Sequence, residues 1–166
     1  MSIVRRVARP LLALEFIYGG ADVLRNPEPR AKLAAPIAKK IADALPMRLP
    51  EDPVQLVRID AGVKVAGGLL LATGRVPRLA ALALAASLVP TTLAGHRFWE
   101  FDEPQQRANQ RIHFLKNLSL LGGLLVAAVD TEGRPSVGYR ARKLTSVTRG
   151  RTRKAALAAR KSLPGD

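Results

Sequence analysis

The chain contains no cysteine, only 2 histidines, and 13 acids against 27 bases. Without thiols it cannot form a disulfide, cycle a dithiol or ligate an iron–sulfur cluster. Any electron chemistry therefore belongs to a partner or a bound cofactor. Also missing are a phosphate-binding glycine loop, a nucleophile triad and any cysteine–histidine spacing that would hold a metal. The shortage of acid leaves a formal net charge of +14. Such a balance implies an anionic partner, either nucleic acid or the headgroups of an anionic leaflet. The apolar segments decide for a lipid bilayer and against nucleic acid.

A length of 166 residues suits one domain. Mean hydropathy near zero hides strong segregation. Apolar residues collect at about 7–24, 54–73, 76–95 and 112–129, and most charges lie between them. Each block is about 18–20 residues, near the length a helix needs to cross a hydrocarbon core. A soluble four-helix bundle would need a polar stripe on every helix. Residues 79–93 offer only Ser87, Thr91 and Thr92. A helix apolar all round is either deeply buried or in lipid, and four helices cannot bury it fully. The expected fold is all-α, an integral membrane four-helix bundle spanning residues 1–130.

Local signals agree. Asp52-Pro53 reads as an N-cap followed by a first-turn proline. Gly74-Arg75-Val76-Pro77 is a tight turn that makes the second and third spans antiparallel neighbours. Pro90 is expected to kink the third span, with Thr91 and Thr92 helping to satisfy the freed carbonyl. Between spans one and two, Leu33, Ile37, Ile41 and Leu45 recur every four residues, with Lys32, Lys39, Lys40 and Asp43 elsewhere around the turn. That pattern predicts an interfacial amphipathic helix bent or interrupted at Pro36. Phe98, Trp99 and Phe101 suggest an aromatic belt at the same membrane face. Residues 131–166 form a basic tail expected to be mostly disordered and to meet anionic lipid.

The start of the chain carries Arg5, Arg6 and Arg9 before its apolar block, as a secretory signal would. Glu15 and Asp22 inside the block, and Arg25-Asn26-Pro27 in place of a small-residue cleavage site, make it a retained first span. With four spans both ends share a side, and 15 of the 27 bases fall there against 9 on the other. The positive-inside rule then predicts a multi-pass membrane protein with both termini cytoplasmic.

Beyond the first turn of each span's cytoplasmic end, six charges lie within the spans: Glu15, Asp22 and Asp60 against Arg58, Lys64 and Lys116. Ionisable groups at membrane depth are costly and mark functional or pairing sites. Counting from the cytoplasmic ends, Glu15 and Lys64 fall roughly 12–14 Å deep, and the other four roughly 20–22 Å. A Glu15–Lys64 pair and an outer cluster of Asp22, Asp60, Arg58 and Lys116 are therefore expected. Arg58 points away from the Asp60–Lys64 face and can snorkel. His113, Lys116 and Asn117 form one i, i+3, i+4 set. His96 and His113 flank the outer loop beside Trp99, Glu100 and Asp102, where a metal, haem or quinone-headgroup site competes with a plain interfacial role. Two histidines without fixed short spacing assign no metal. Gly67-Gly68, and Ser119 with Gly122-Gly123, read as close helix contacts. Catalytic residues are not identified by any of these patterns.

Several stretches carry a resemblance. They are Arg9-Pro10 leading to Gly19-Gly20, Leu24-Arg25-Asn26-Pro27 and Leu70-Leu71-Ala72-Thr73-Gly74-Arg75. Gly95-His96-Arg97-Phe98-Trp99-Glu100 and His113-Phe114-Leu115-Lys116-Asn117-Leu118 complete them. The chain resembles the DoxX family of small four-span membrane proteins, particularly its actinobacterial branch, over about residues 4–139. The resemblance implies a bacterial plasma-membrane protein related to subunits of thiosulfate:quinone oxidoreductases. It also implies association with a superoxide dismutase and a thiosulfate sulfurtransferase in redox and oxidative-stress homeostasis, with quinone as the candidate cofactor. Lys116-Asn117 is the position carried over most directly. The expected role is a non-catalytic accessory or scaffold subunit. The alternatives are a quinone or lipid binding or transport module, or a subunit of a thiosulfate:quinone enzyme. A homo-oligomer remains open.

Overall fold

A computed structural model describes residues 3–44, 50 and 52–131, without the side chains of 40–44. Five α-helices follow one another: α1 (Ile3–Arg25), α2 (Glu28–Ala44), α3 (Pro53–Thr73), α4 (Pro77–Gly95) and α5 (Pro104–Val129). A short 3-10 turn, Phe98–Glu100, links the last two. No strand occurs among the described residues. The expected tail lies outside them.

The ends of these helices follow from local chemistry. Asp52 caps α3, its carboxylate accepting from the Val54 amide at 2.9 Å, and Pro53 occupies the first turn where no amide is needed. Gly74 ends α3 with φ 67°, a left-handed conformation that favours glycine, and its amide bonds the Leu71 carbonyl. Pro77 opens α4 directly after, so α3 and α4 form a tight hairpin. α4 continues through Pro90. The carbonyl this proline leaves free is that of Ala86. Thr91 and Thr92 instead bond the next two, Ser87 at 2.6 Å and Leu88 at 2.7 Å.

α1 packs along α3, α3 along α4 and α4 along α5, while α1 and α5 touch only lightly. The core joins Ala13 and Phe16 of α1, Leu71 of α3, Leu84 and Leu88 with three alanines of α4, and Leu124 and Ala128 of α5. So many small residues bring the backbones close. A Cβ on Gly20 would stand 2.9 Å from the Ala61 carbonyl oxygen, and one on Gly68 would stand 2.6 Å from Ile17. Helix association in lipid depends on such packing rather than on expelling water.

α2 packs on α3 and α4. Among the side chains described there, Ala31 is buried, as is Pro27 just before the helix, whereas Leu33 of the expected apolar stripe stays exposed. Small side chains let α2 approach its neighbours, which turns the larger leucine outward.

The outer surface is apolar. Leu11, Leu14, Leu79, Leu82, Ile112, Val126 and Val129 are all more exposed than buried. Two stretches, Pro77–Glu100 and Pro104–Val129, are long and apolar enough to cross a membrane. α1 and α3 are as long but carry charge within them. A soluble protein of this size does not leave large side chains exposed on three helices at once.

Candidate functional site: the polar interior

The polar residues gather in four places. The first lies between α3 and α4. Lys64 pairs with Asp60 at 2.7 Å, one turn apart on α3. Asp60 also accepts from the Ser87 hydroxyl at 2.5 Å and, more weakly, from Thr91 at 3.5 Å. Lys64 donates to Thr91 at 2.9 Å. The lysine side chain is only 12% exposed, so these partners meet it in place of water. Ser87, Thr91 and Thr92 are the few polar residues of an apolar helix, and they are spent on this network and its neighbour.

The second place is the buried contact of α4 with α5. Asn117 donates to Thr92 at 3.0 Å, and Thr92 passes its own proton to the Leu88 carbonyl. An amide buried at membrane depth needs such a partner, because hydrocarbon supplies none.

The third place is the line where α1 meets α5. Arg5 grips Asp130 through Nε at 2.7 Å and Nη2 at 3.0 Å, with Arg9 at 3.6 Å. Arg78 of α4 adds a bond to the Ala128 carbonyl at 2.9 Å. Three arginines thus surround the C-terminal end of α5, where the helix dipole favours positive charge. Further along, Leu12 lies against Gly123, and Lys116 pairs with Glu15 at 2.6 Å. Arg5, Leu12 and Gly19 step by seven residues, and so do Asp130, Gly123 and Lys116. The antiparallel register therefore sets Lys116 level with Gly19, and its long side chain reaches back about one helical turn to Glu15.

The expected pairing is corrected on two counts. Glu15 does not pair with Lys64. It pairs with Lys116, while Lys64 pairs with Asp60. The outer cluster of four does not assemble either. Asp22 and Arg58 are exposed and make no ion pair among the described residues. Depth had been counted from residue 7, but α1 begins at Ile3 and its register with α5 is set by Arg5 and Asp130. Of the interior candidates, Asn117 is buried, Asp60 and Lys64 are partly so, and Glu15, Lys116 and His113 are exposed.

The fourth place is the other end of α4 and α5. His96 and His113 stack with ring centroids 5.1 Å apart, and His96 Nδ1 lies 2.8 Å from Gln110 Oε1. Phe98, Trp99 and Phe114 meet edge to face at 5.1–5.9 Å. Arg97 pairs with Glu100 at 3.0 Å. Among the described residues no group of three or more His, Cys, Asp or Glu could hold a metal ion.

A protein-family model described as DoxX matches residues 5–97, more than half of the chain. The chain belongs to the DoxX family. The DoxX match takes in α1 through α4 and so includes Glu15, Asp60, Lys64, Ser87 and Thr91. It stops before α5, leaving His113, Lys116 and Asn117 outside. With its apolar outer surface this DoxX chain is a membrane protein. No curated protein and no solved structure matches it.

Sequence reasoning missed Arg5, Arg9, Arg78 and Asp130, counted only as charge at the ends of the spans or beyond them. The i, i+4 spacing of Arg5 and Arg9 on one face was the available signal. Gln110 was also missed, and nothing in its spacing marks it.

Proposed function

We propose that this DoxX protein is a four-span accessory subunit that seats soluble oxidoreductases on the cytoplasmic face of the bacterial plasma membrane. The observation that carries it is the use made of its interior charges. Asp60 is engaged by Lys64 and two hydroxyls, Lys116 by Glu15, and Asp130 by two arginines. Groups consumed by one another hold helices together, and they build a platform rather than a reaction centre. The lengths of α1, α3, α4 and α5 and their outward leucines and valines support four spans. α2 then lies at the interface with Leu33 toward the lipid. The excess of basic residues near the termini supports a cytoplasmic placement.

The family resemblance supplies the partners, a superoxide dismutase and a thiosulfate sulfurtransferase. The test is affinity purification of the full-length protein from mildly solubilised membranes of its own cells. Recovery of soluble redox enzymes that survives high salt is expected. Recovery of lipid alone refutes the platform.

A second reading, a quinone-binding module or the membrane subunit of a thiosulfate:quinone oxidoreductase, is favoured by the cluster at the end of α4 and α5. The half-exposed indole of Trp99 offers a flat apolar surface and His113 a hydrogen-bonding nitrogen, which suit a planar carbonyl-bearing ring. A bound quinone would supply electron carriage there. Organic extraction of the purified protein, with and without Trp99→Ala, distinguishes the two readings.

A further inference from the structure

The Glu15–Lys116 pair is more open to the outside than the Lys64–Asp60 and Arg5–Asp130 pairs. Its two side chains keep 50% and 44% of their exposure although they touch at 2.6 Å. α2 packs on α3 and α4, so it does not cover this face. An ion pair at membrane depth that faces hydrocarbon is costly, and a surface of matching polarity relieves that cost.

The pair is electroneutral, which narrows what can cover it. An anionic headgroup gains at Lys116 and loses at Glu15, and an acyl chain offers no opposing dipole. The complement is a surface with positive charge opposite Glu15 and negative charge opposite Lys116, at one depth. A two-fold axis along the membrane normal keeps every residue at its own depth and sets α1 of one copy against α5 of the other. The chain's own face then supplies both charges.

We infer that two copies of this chain pair through the α1–α5 face, with each copy's Glu15 against Lys116 of the other. Four charges of alternating sign then close a ring in place of two exposed pairs. On α5 the turn that follows Lys116 is small on its outer side, between the exposed Ile112 and Val126: Ser119 is exposed, and a Cβ at Gly122 would meet nothing within 4 Å. Such residues let a second helix approach closely. The inference rests on the membrane seat of α1 and α5, which topology reporters test separately.

The absence of cysteine makes the experiment direct. In membranes holding full-length protein, a flexible bismaleimide long enough to bridge the two α5 helices, which stand diagonally across the paired face, cross-links the Ser119→Cys variant to a dimer and leaves Leu82→Cys, on the outer side of α4, monomeric. Adding Glu15→Lys or Lys116→Glu to the Ser119→Cys chain sets like charges against each other and lowers cross-linking about tenfold or more. Co-expressing the two reversal variants under different tags restores a mixed dimer, because every acid again faces a base in the other copy. Both reversals in one chain restore it as well. If Ser119→Cys does not cross-link, or the tagged mixture stays monomeric while the double reversal in one chain cross-links, the charges act only within a copy and the inference is overturned. Where a reversal variant does not accumulate alone, the co-expressed mixture decides: a mixed dimer supports the pairing and its absence overturns it.

Discussion

Asp60 and Lys64 offer the cleanest test of how the interior charges are held. Asp60→Asn keeps the shape and an acceptor for Ser87, yet it removes the counter-ion from a lysine that is 12% exposed. Lys64 is left with Thr91 and neutral acceptors. Breaking a buried ion pair costs about 3–5 kcal/mol, and the lower figure applies because Asp60 is about one-third exposed. Lys64→Met strands the carboxylate instead, but Ser87 still donates to it, so a similar loss of about 3 kcal/mol is expected. With both changes no uncompensated charge remains, and the double variant should lose no more than either single one. That leaves a coupling energy of at least about 3 kcal/mol, at the upper end of measured pairs. Reversible unfolding in mixed micelles, followed by helical circular dichroism, reads all four corners of the cycle. Losses that add within about 0.5 kcal/mol would show two independent residues and refute the network.

Gly20→Ala places a Cβ against the Ala61 backbone, which cannot step aside, and should destabilise by about 1–3 kcal/mol. Gly62→Ala meets nothing within 4 Å and should be neutral or stabilising by up to about 1 kcal/mol from helix propensity; the same unfolding assay compares them. Asn117→Leu removes the bond to Thr92 while leaving that hydroxyl bonded to Leu88, so a modest loss of about 1 kcal/mol is expected by the same measurement. Reporter fusions at Lys40 and at the C-terminus should sit on opposite sides of the membrane, and finding both on one side rules out the topology. A peptide of residues 131–166 should bind anionic vesicles over neutral ones in a salt-sensitive way, gaining about 1 kcal/mol per basic residue near the surface. Equal binding to both vesicles counts against it.

The helices were legible because their signals are local. Asp52-Pro53 and Gly74 mark ends through backbone geometry that one or two residues determine, and the apolar blocks stand out against a charged background. Charge pairing was not legible, because it depends on how far one helix slides along another. Glu15 and Lys64 looked level when depth was counted from residue 7. The slide is set by Arg5 and Asp130, which lie at the ends of the blocks and looked like ordinary boundary charges. Ser87 looked incidental in an apolar helix and Thr91 was assigned to the carbonyl freed by Pro90, although a hydroxyl facing a partly buried carboxylate stabilises it without adding charge. α5 was expected from residue 112 but starts at Pro104, since its first two turns are polar and carry no hydropathy signal.

The α3–α4 hairpin also implies an order of assembly. Its two interior charges and both hydroxyls satisfy one another within a segment joined by a turn at Gly74. Once synthesised, that hairpin can leave the translocation channel as a finished unit. Glu15 cannot, because its base is 101 residues downstream on α5. In the four-span arrangement the first helix therefore carries a bare carboxylate for most of translation. It must linger beside the channel or a chaperone until the last helix emerges. Truncation before Lys116 should then yield a chain that the cell's membrane quality control removes, while its central hairpin remains sound.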